Sequence, residues 1–167
     1  ARIPTEVDIA SEFRYRACEM PQGGLSIFIS QSGETADTLA ALAYARKQAQ
    51  HIVSIVNVAE SSMARLADVS LLTHAGPEIG VASTKAFTTQ LTVLACLAIA
   101  LAARRGTIDR TTERHLCQAL TEVPGRLNEV LNHDQRLAEI AREVMDARHM
   151  LYLGRGTGYP IALEGAL

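Results

Sequence analysis

An apolar run that stops at a cluster of hydroxyls and restarts at helical spacing constrains this chain more than any other feature. Leu25-Ser26-Ile27-Phe28-Ile29 follows Gly23-Gly24 and has the β-branched and aromatic content of a buried strand. Residues 36–46 repeat their apolar positions at helical spacing and are rich in alanine, which favours the helix. Ser30-Gln31-Ser32-Gly33-Glu34-Thr35 therefore lies where a strand ends and a helix begins. The first amides of a helix lack internal partners and sit in positive potential, so a phosphate or sugar phosphate is the natural guest there. Ser30, Ser32 and Thr35 supply neutral hydroxyls, and Gly33 lets the backbone approach a ligand. Side-chain capping of the helix by Ser32 or Thr35 is the other reading of the same hydroxyls. No Gly-Lys-Ser/Thr follows, which excludes a nucleotide P-loop.

The rest of the first hundred residues repeats the alternation. Residues 3–9 read as a strand, 51–56 as the next strand after the helix, 61–66 as a short helical turn, and 69–72 as a further strand. Strand and helix in turn indicate a parallel sheet with helices on its faces. Residues 76–85 form a second loop, which opens a long helix from about 83 to 105. Ser83 and Thr84 repeat the pattern of hydroxyls at a helix start after a strand. In open α/β sheets ligands bind beyond the carboxyl ends of the strands, so both loops are expected on one crevice. Lys85 either neutralises a phosphate or is a solvated lysine of the first helical turn.

From Gly106 the character changes. Residues 110–120 and 125–131 are amphipathic, with Pro124 expected to start the second helix, and 135–145 form another. Residues 150–153 return as a strand, followed by Gly154-Arg155-Gly156-Thr157-Gly158 and a helix from about Pro160. That glycine loop is a weak dinucleotide fingerprint. Glu164, in the last helix, reads as a solvated or paired carboxylate rather than an acid or base.

Composition narrows the classes. The chain has 167 residues, 48% of them hydrophobic, and a formal net charge of −2, enough for one core-bearing domain, or one and a fragment, and without the basic footprint of a nucleic-acid binder. Cys18, Cys96 and Cys117 lack CxxC spacing, which fits a reducing, cytoplasmic setting. The run 93–103, containing Cys96, is shorter than the roughly 20 residues of a membrane helix and reads as a buried core helix, so no membrane is expected. The five histidines share no helix face with one another or with a cysteine at ligand spacing, so no metal site is expected, and no cofactor is assigned. No G-x-S-x-G elbow supports a serine hydrolase. The start at Ala1 in mid-pattern suggests a longer chain.

Longer blocks carry a family resemblance. Ala10-Ser11-Glu12-Phe13-Arg14-Tyr15-Arg16, the segment from Ser30 through Thr38, the segment from Glu78 through Gln90, and Leu153-Gly154-Arg155-Gly156 with the segment from Tyr159 to Leu167 resemble the isomerase half of the glucosamine-6-phosphate synthases. The shorter Ser-x-Ser-Gly-x-Thr motif is common to the wider sugar isomerase (SIS) superfamily. The resemblance implies a flavodoxin-like three-layer α/β/α sandwich with a mainly parallel sheet of about five strands. It implies an enzyme, glutamine–fructose-6-phosphate aminotransferase (isomerising), with fructose 6-phosphate and glucosamine 6-phosphate as ligands, a glutaminase domain as partner, and a homodimeric assembly. Ser30, Gln31, Ser32 and Thr35 match its phosphate and sugar contacts, and Val81 and Ser83 match its second sugar-contacting loop. A sugar-phosphate-responsive regulator with the same domain, or another SIS isomerase or deglycase, is the alternative.

The same resemblance implies that residues 1–106 are a first SIS domain without its first strand, phosphate loop and helix. Residues 107–167 are then connecting helices and the opening strand, loop and helix of a second. The ring-opening lysine and proton-transferring glutamate are expected after Leu167, so no catalytic residue is assigned and the chain alone is expected to be inactive. A vacant slot beside residues 27–29 is expected to be filled by 150–153, in the same molecule or a neighbour, with residues 154–157 standing beside residues 30–35.

Overall fold

The computed structural model describes residues 1–16, 18–80, 83 and 85–167. Two compact units divide it, Ala1–Cys117 and Gln118–Leu167.

The first unit is an α/β fold. In chain order it contains α1 (Ala10–Phe13), β1 (Leu25–Ser30), α2 (Ala36–Lys47), β2 (His51–Val56), α3 (Ser62–Leu66), β3 (Val69–Leu72), α4 (Lys85–Arg104) and the first turns of α5 (Arg110–Leu131). The strands pair in parallel in the order β1-β2-β3, with Ser30 opposite Val56 and Val56 opposite Leu72. Parallel neighbours need crossovers, and α2 and α3 supply them. All three strands consequently end on one rim, and each releases its chain into a loop there.

The central strand organises the core. Ile52 and Val56 of β2 pack with Leu42 and Ala45 of α2 and Met63 of α3, with Phe28, Leu39 and Leu72 around them. Burying each of the larger side chains contributes about 1.5–3 kcal/mol. Ile55, on the other face of β2, is also fully buried, and α4 contacts this strand. Ser54 Oγ of β2 donates to Ser70 Oγ of β3 at 2.8 Å, and Ser70 Oγ donates in turn to the Ala64 carbonyl at 3.1 Å. The Tyr44 hydroxyl donates to the Cys18 carbonyl at 2.8 Å, and Phe13 stands edge-on to the Tyr44 ring at 5.8 Å, which ties α1 to α2.

The second unit holds the remainder of α5, α6 (Asp134–Val144) and α7 (Gly158–Gly165). It contains no buried residue. Tyr152 lies against Gly165, where an added Cβ would meet its ring at 3.0 Å.

Several expectations are corrected. The described sheet has three strands rather than about five, because residues 3–9 and 150–153 are irregular. A strand must pair its backbone groups, and neither segment has a partner strand among the described residues. Residues 150–153 have no strand assignment, and Leu151 and Leu153 are 80% and 82% exposed. β1 is an edge strand with alternating burial rather than a fully buried one, and Leu25, Ile27 and Ile29 are exposed on its open face. Pro124 lies inside α5 instead of starting a helix: it lacks the amide that would bond the Leu120 carbonyl, and the helix continues through that single gap. The long helix expected from about 83 to 105 is present, but it is less covered than expected. α4 runs 20 residues and contains an 18-residue window of mean hydropathy 1.9, long and apolar enough by length and composition to cross a membrane. Within it only Ala86 and Ala102 are buried, and Cys96 is exposed.

Candidate functional site

The loop between β1 and α2 is held by its own hydroxyls and by α3. Ser30, the last residue of β1, is buried, and its Oγ accepts the Gly33 N–H at 3.0 Å and lies 3.1 Å from Thr35 Oγ1. Ser32 Oγ accepts the Glu34 N–H at 3.2 Å, leaving its own proton free to donate. Thr35 occupies the N-cap position of α2 without a side-chain cap hydrogen bond, so among the described residues the capping reading of this threonine does not hold. The first amides of α2 keep open N–H groups beside the exposed Thr35 hydroxyl. That end of the helix is electropositive.

Gly33 has a structural reason that the sequence reading gave to a ligand. Its φ is +66°, and a Cβ there would lie 2.2 Å from Ser61 Oγ and 2.5 Å from Ser61 Cβ. Ser61 is the N-cap of α3 and accepts the Ala64 N–H at 3.3 Å. The Gly33 carbonyl accepts the Met63 N–H at 3.0 Å, and Glu34 Oε1 accepts the Ser62 N–H at 2.6 Å. The hydroxyl loop is therefore seated on the start of α3. The Ser62 amide, then the Ser62 hydroxyl, hold the Glu34 carboxyl below its ordinary range.

Beside this loop the three strand ends enclose an open cleft of about 600 Å³, lined by Gln31, Asn57, Val58, His74, Gly76, Pro77 and Glu78. Asn57 follows β2 and His74 follows β3, so each strand contributes one wall. Glu78 Oε2 accepts the Ala86 N–H at 3.1 Å and anchors the third wall to the first turn of α4. Among the described residues no group of histidine, cysteine and acidic side chains is arranged to hold a metal.

The expected residues are distributed as follows. Ser30, Ser32 and Thr35 form one compact loop, and Gln31 turns from it into the cleft. Ser83 is half-buried just before α4, and Lys85 is exposed at its first position. Val81 lies outside the described residues, as does Thr84. Asn57, His74 and Glu78 were assigned no site role from sequence. The strand-end rule was the signal available, since Asn57 and His74 lie one and two residues beyond the ends of β2 and β3.

The family model described as "SIS domain" matches residues 1–100. The chain belongs to the SIS domain family. Over all 167 residues it is 55% identical to glutamine–fructose-6-phosphate aminotransferase (isomerizing) of Bradyrhizobium diazoefficiens and 55% identical to the protein of that name from Zymomonas mobilis. It spans 28% of the length of each of those relatives. Among solved structures it resembles the C-terminal domain of glucosamine-fructose-6-phosphate aminotransferase from Francisella tularensis. That match has 42% identity and a TM-score of 0.96, covering 99% of this chain and 47% of that one. Glucosamine-6-phosphate deaminase from Thermotoga maritima, at 18% identity and a TM-score of 0.53 over 94% of this chain and 46% of that one, shares the fold alone. The parallel sheet described above is thus an SIS sheet, and the cleft lies at its strand ends.

Proposed function

We propose that this SIS chain binds a hexose phosphate as part of the isomerase half of a glutamine–fructose-6-phosphate aminotransferase. The phosphate is received by Ser32, Thr35 and the open amides of α2, with Ser30 shaping the loop. The sugar extends toward Gln31, Val81 and Ser83. The observation that carries this reading is a hydroxyl-rich loop at an uncapped helix N-terminus, beside an open cleft, in a chain 55% identical over its whole length to the named relatives. Neutral donors and helix amides suit a phosphate that must be released again.

The proposed ligands are fructose 6-phosphate and glucosamine 6-phosphate, and the proposed partners are a glutaminase domain and a second copy of the chain. Residues 1–106 act in this reading as a first SIS domain and 107–167 as a connection to another. A cytoplasmic setting agrees with three free cysteines. No side chain among these residues is assigned to ring opening or proton transfer, so the chain alone binds without forming glucosamine 6-phosphate.

Isothermal titration with fructose 6-phosphate tests the reading. Ser32→Ala is expected to weaken binding by roughly 1 kcal/mol or more through loss of a charge-assisted hydrogen bond. Equal affinity of Ser32→Ala and the unaltered chain would count against the placement of the phosphate. Turnover of fructose 6-phosphate and ammonia by the chain alone would overturn the absence of catalytic groups.

A further inference from the structure

Asn57 connects all three walls of the cleft. Its backbone N–H donates to the Gln31 carbonyl at 3.0 Å, which fixes the loop that follows β1. Its side-chain Oδ1 accepts the Thr73 hydroxyl at 3.0 Å and the Ala75 N–H at 2.8 Å, while Nδ2 donates to the Gly76 carbonyl at 2.7 Å. The arc from Thr73 to Gly76 is thus gripped at three points by one amide. Local preference does not account for its shape, since His74 at φ +52° and Gly76 at φ +70° place two left-handed residues within three positions. An aspartate would keep the two acceptor bonds and set a carboxylate oxygen against the Gly76 carbonyl, and alanine would keep none.

The arc matters because of what it presents. His74 lines the cleft together with Gln31, and the arc continues through Pro77 to Glu78, which is anchored on α4. A carboxylate repels a phosphate, whereas carboxylate, imidazole and amide groups together suit the hydroxyls of a sugar. The phosphate end and the sugar end are therefore different walls, and Asn57 governs the second.

We propose that Asn57 is a positioning residue that sets the Thr73–Gly76 arc, and with it His74 and Glu78, for the hydroxyls of the bound sugar. The inference rests on the sugar-phosphate reading above. Its consequence is selective: Asn57 controls the preference for a sugar phosphate over phosphate itself.

The test compares the unaltered chain with Asn57→Ala and Asn57→Asp, using fructose 6-phosphate and inorganic phosphate as separate probes in an NMR titration, with hydrogen exchange of the Ala75 amide as an internal readout. Asn57→Ala is expected to speed Ala75 exchange at least about ten-fold and to weaken fructose 6-phosphate about ten-fold, with phosphate affinity within about two-fold of the original. Asn57→Asp retains the bond to Ala75, and its fructose 6-phosphate affinity falls between the other two. It serves as the deciding variant if Asn57→Ala does not fold. An equal loss for both probes would reduce Asn57 to a general structural role and overturn the inference alone, as would unchanged Ala75 exchange in Asn57→Ala. Failure of the unaltered chain to bind either probe overturns the sugar-phosphate reading and the inference with it.

Discussion

The loops at the strand ends and the helices of residues 118–167 differ in how their shape is held. Around Gly33 and Asn57 each turn is closed by a partner within the chain: Ser30 on Gly33, Glu34 on Ser62, Asn57 on Thr73, Ala75 and Gly76. Residues 118–167 have hydrophobic positions just as regular, yet Leu137, Ile140 and Val144 of α6 remain exposed. A helical stripe specifies which face will be buried and says nothing of what buries it. The first region carries its own partners in sequence; the second leaves its apolar stripe exposed.

Substitutions that open the core of the first unit should mark this contrast most strongly. Leu42→Ala, at a fully buried position, is expected to cost about 2–5 kcal/mol in urea unfolding. Leu137→Ala, on the exposed stripe, should cost less than about 0.5 kcal/mol. Similar losses at both sites would dissolve the distinction.

The loop itself supplies the next largest effect. Gly33→Ala places a Cβ against Ser61 at a left-handed φ, and the combined crowding and backbone strain should cost about 2–4 kcal/mol. Gly125→Ala, where an added Cβ meets nothing within 4 Å, is expected to stabilise α5 by about 0.5–1 kcal/mol. A neutral Gly33→Ala would show that the loop is not seated on α3.

Acid provides a smaller probe of the same region. The Ile52 amide, followed by Arg46, holds the Asp68 carboxyl below its ordinary value, as the Ser62 groups do for Glu34. Carboxyls that titrate lower when folded stabilise the fold above their unfolded range, about pH 4, and that contribution fades as pH falls through the folded midpoints. Carbon-13 NMR should find both midpoints below those of the same residues in urea. Asp68→Asn should flatten the acid loss of stability, and an unchanged acid profile in that variant would remove Asp68 from the account.

How much of this was legible depended on whether the signal was local. The strands of the sheet and the helix starts were readable because residues 25–30, 51–56 and 69–72 carry their own apolar patterns between turn residues. Residues 3–9 and 150–153 had similar patterns, and pattern alone could not reveal that neither segment forms a strand among the described residues. Pro124 misled because its effect depends on whether the flanking turns hold, which is a question of context. The hydroxyl loop was visible as a motif, whereas the Asn57 grip joins residues 16 to 19 positions apart through a register that only the folded sheet creates.

Fructose 6-phosphate titrated into the isotope-labelled chain tests the central claim most directly. The account predicts amide shifts concentrated at residues 30–38, at Asn57 and the arc to Glu78, and at Ser83, with residues 118–167 unmoved. Shifts absent from the hydroxyl loop, or centred on α5 to α7, would contradict it.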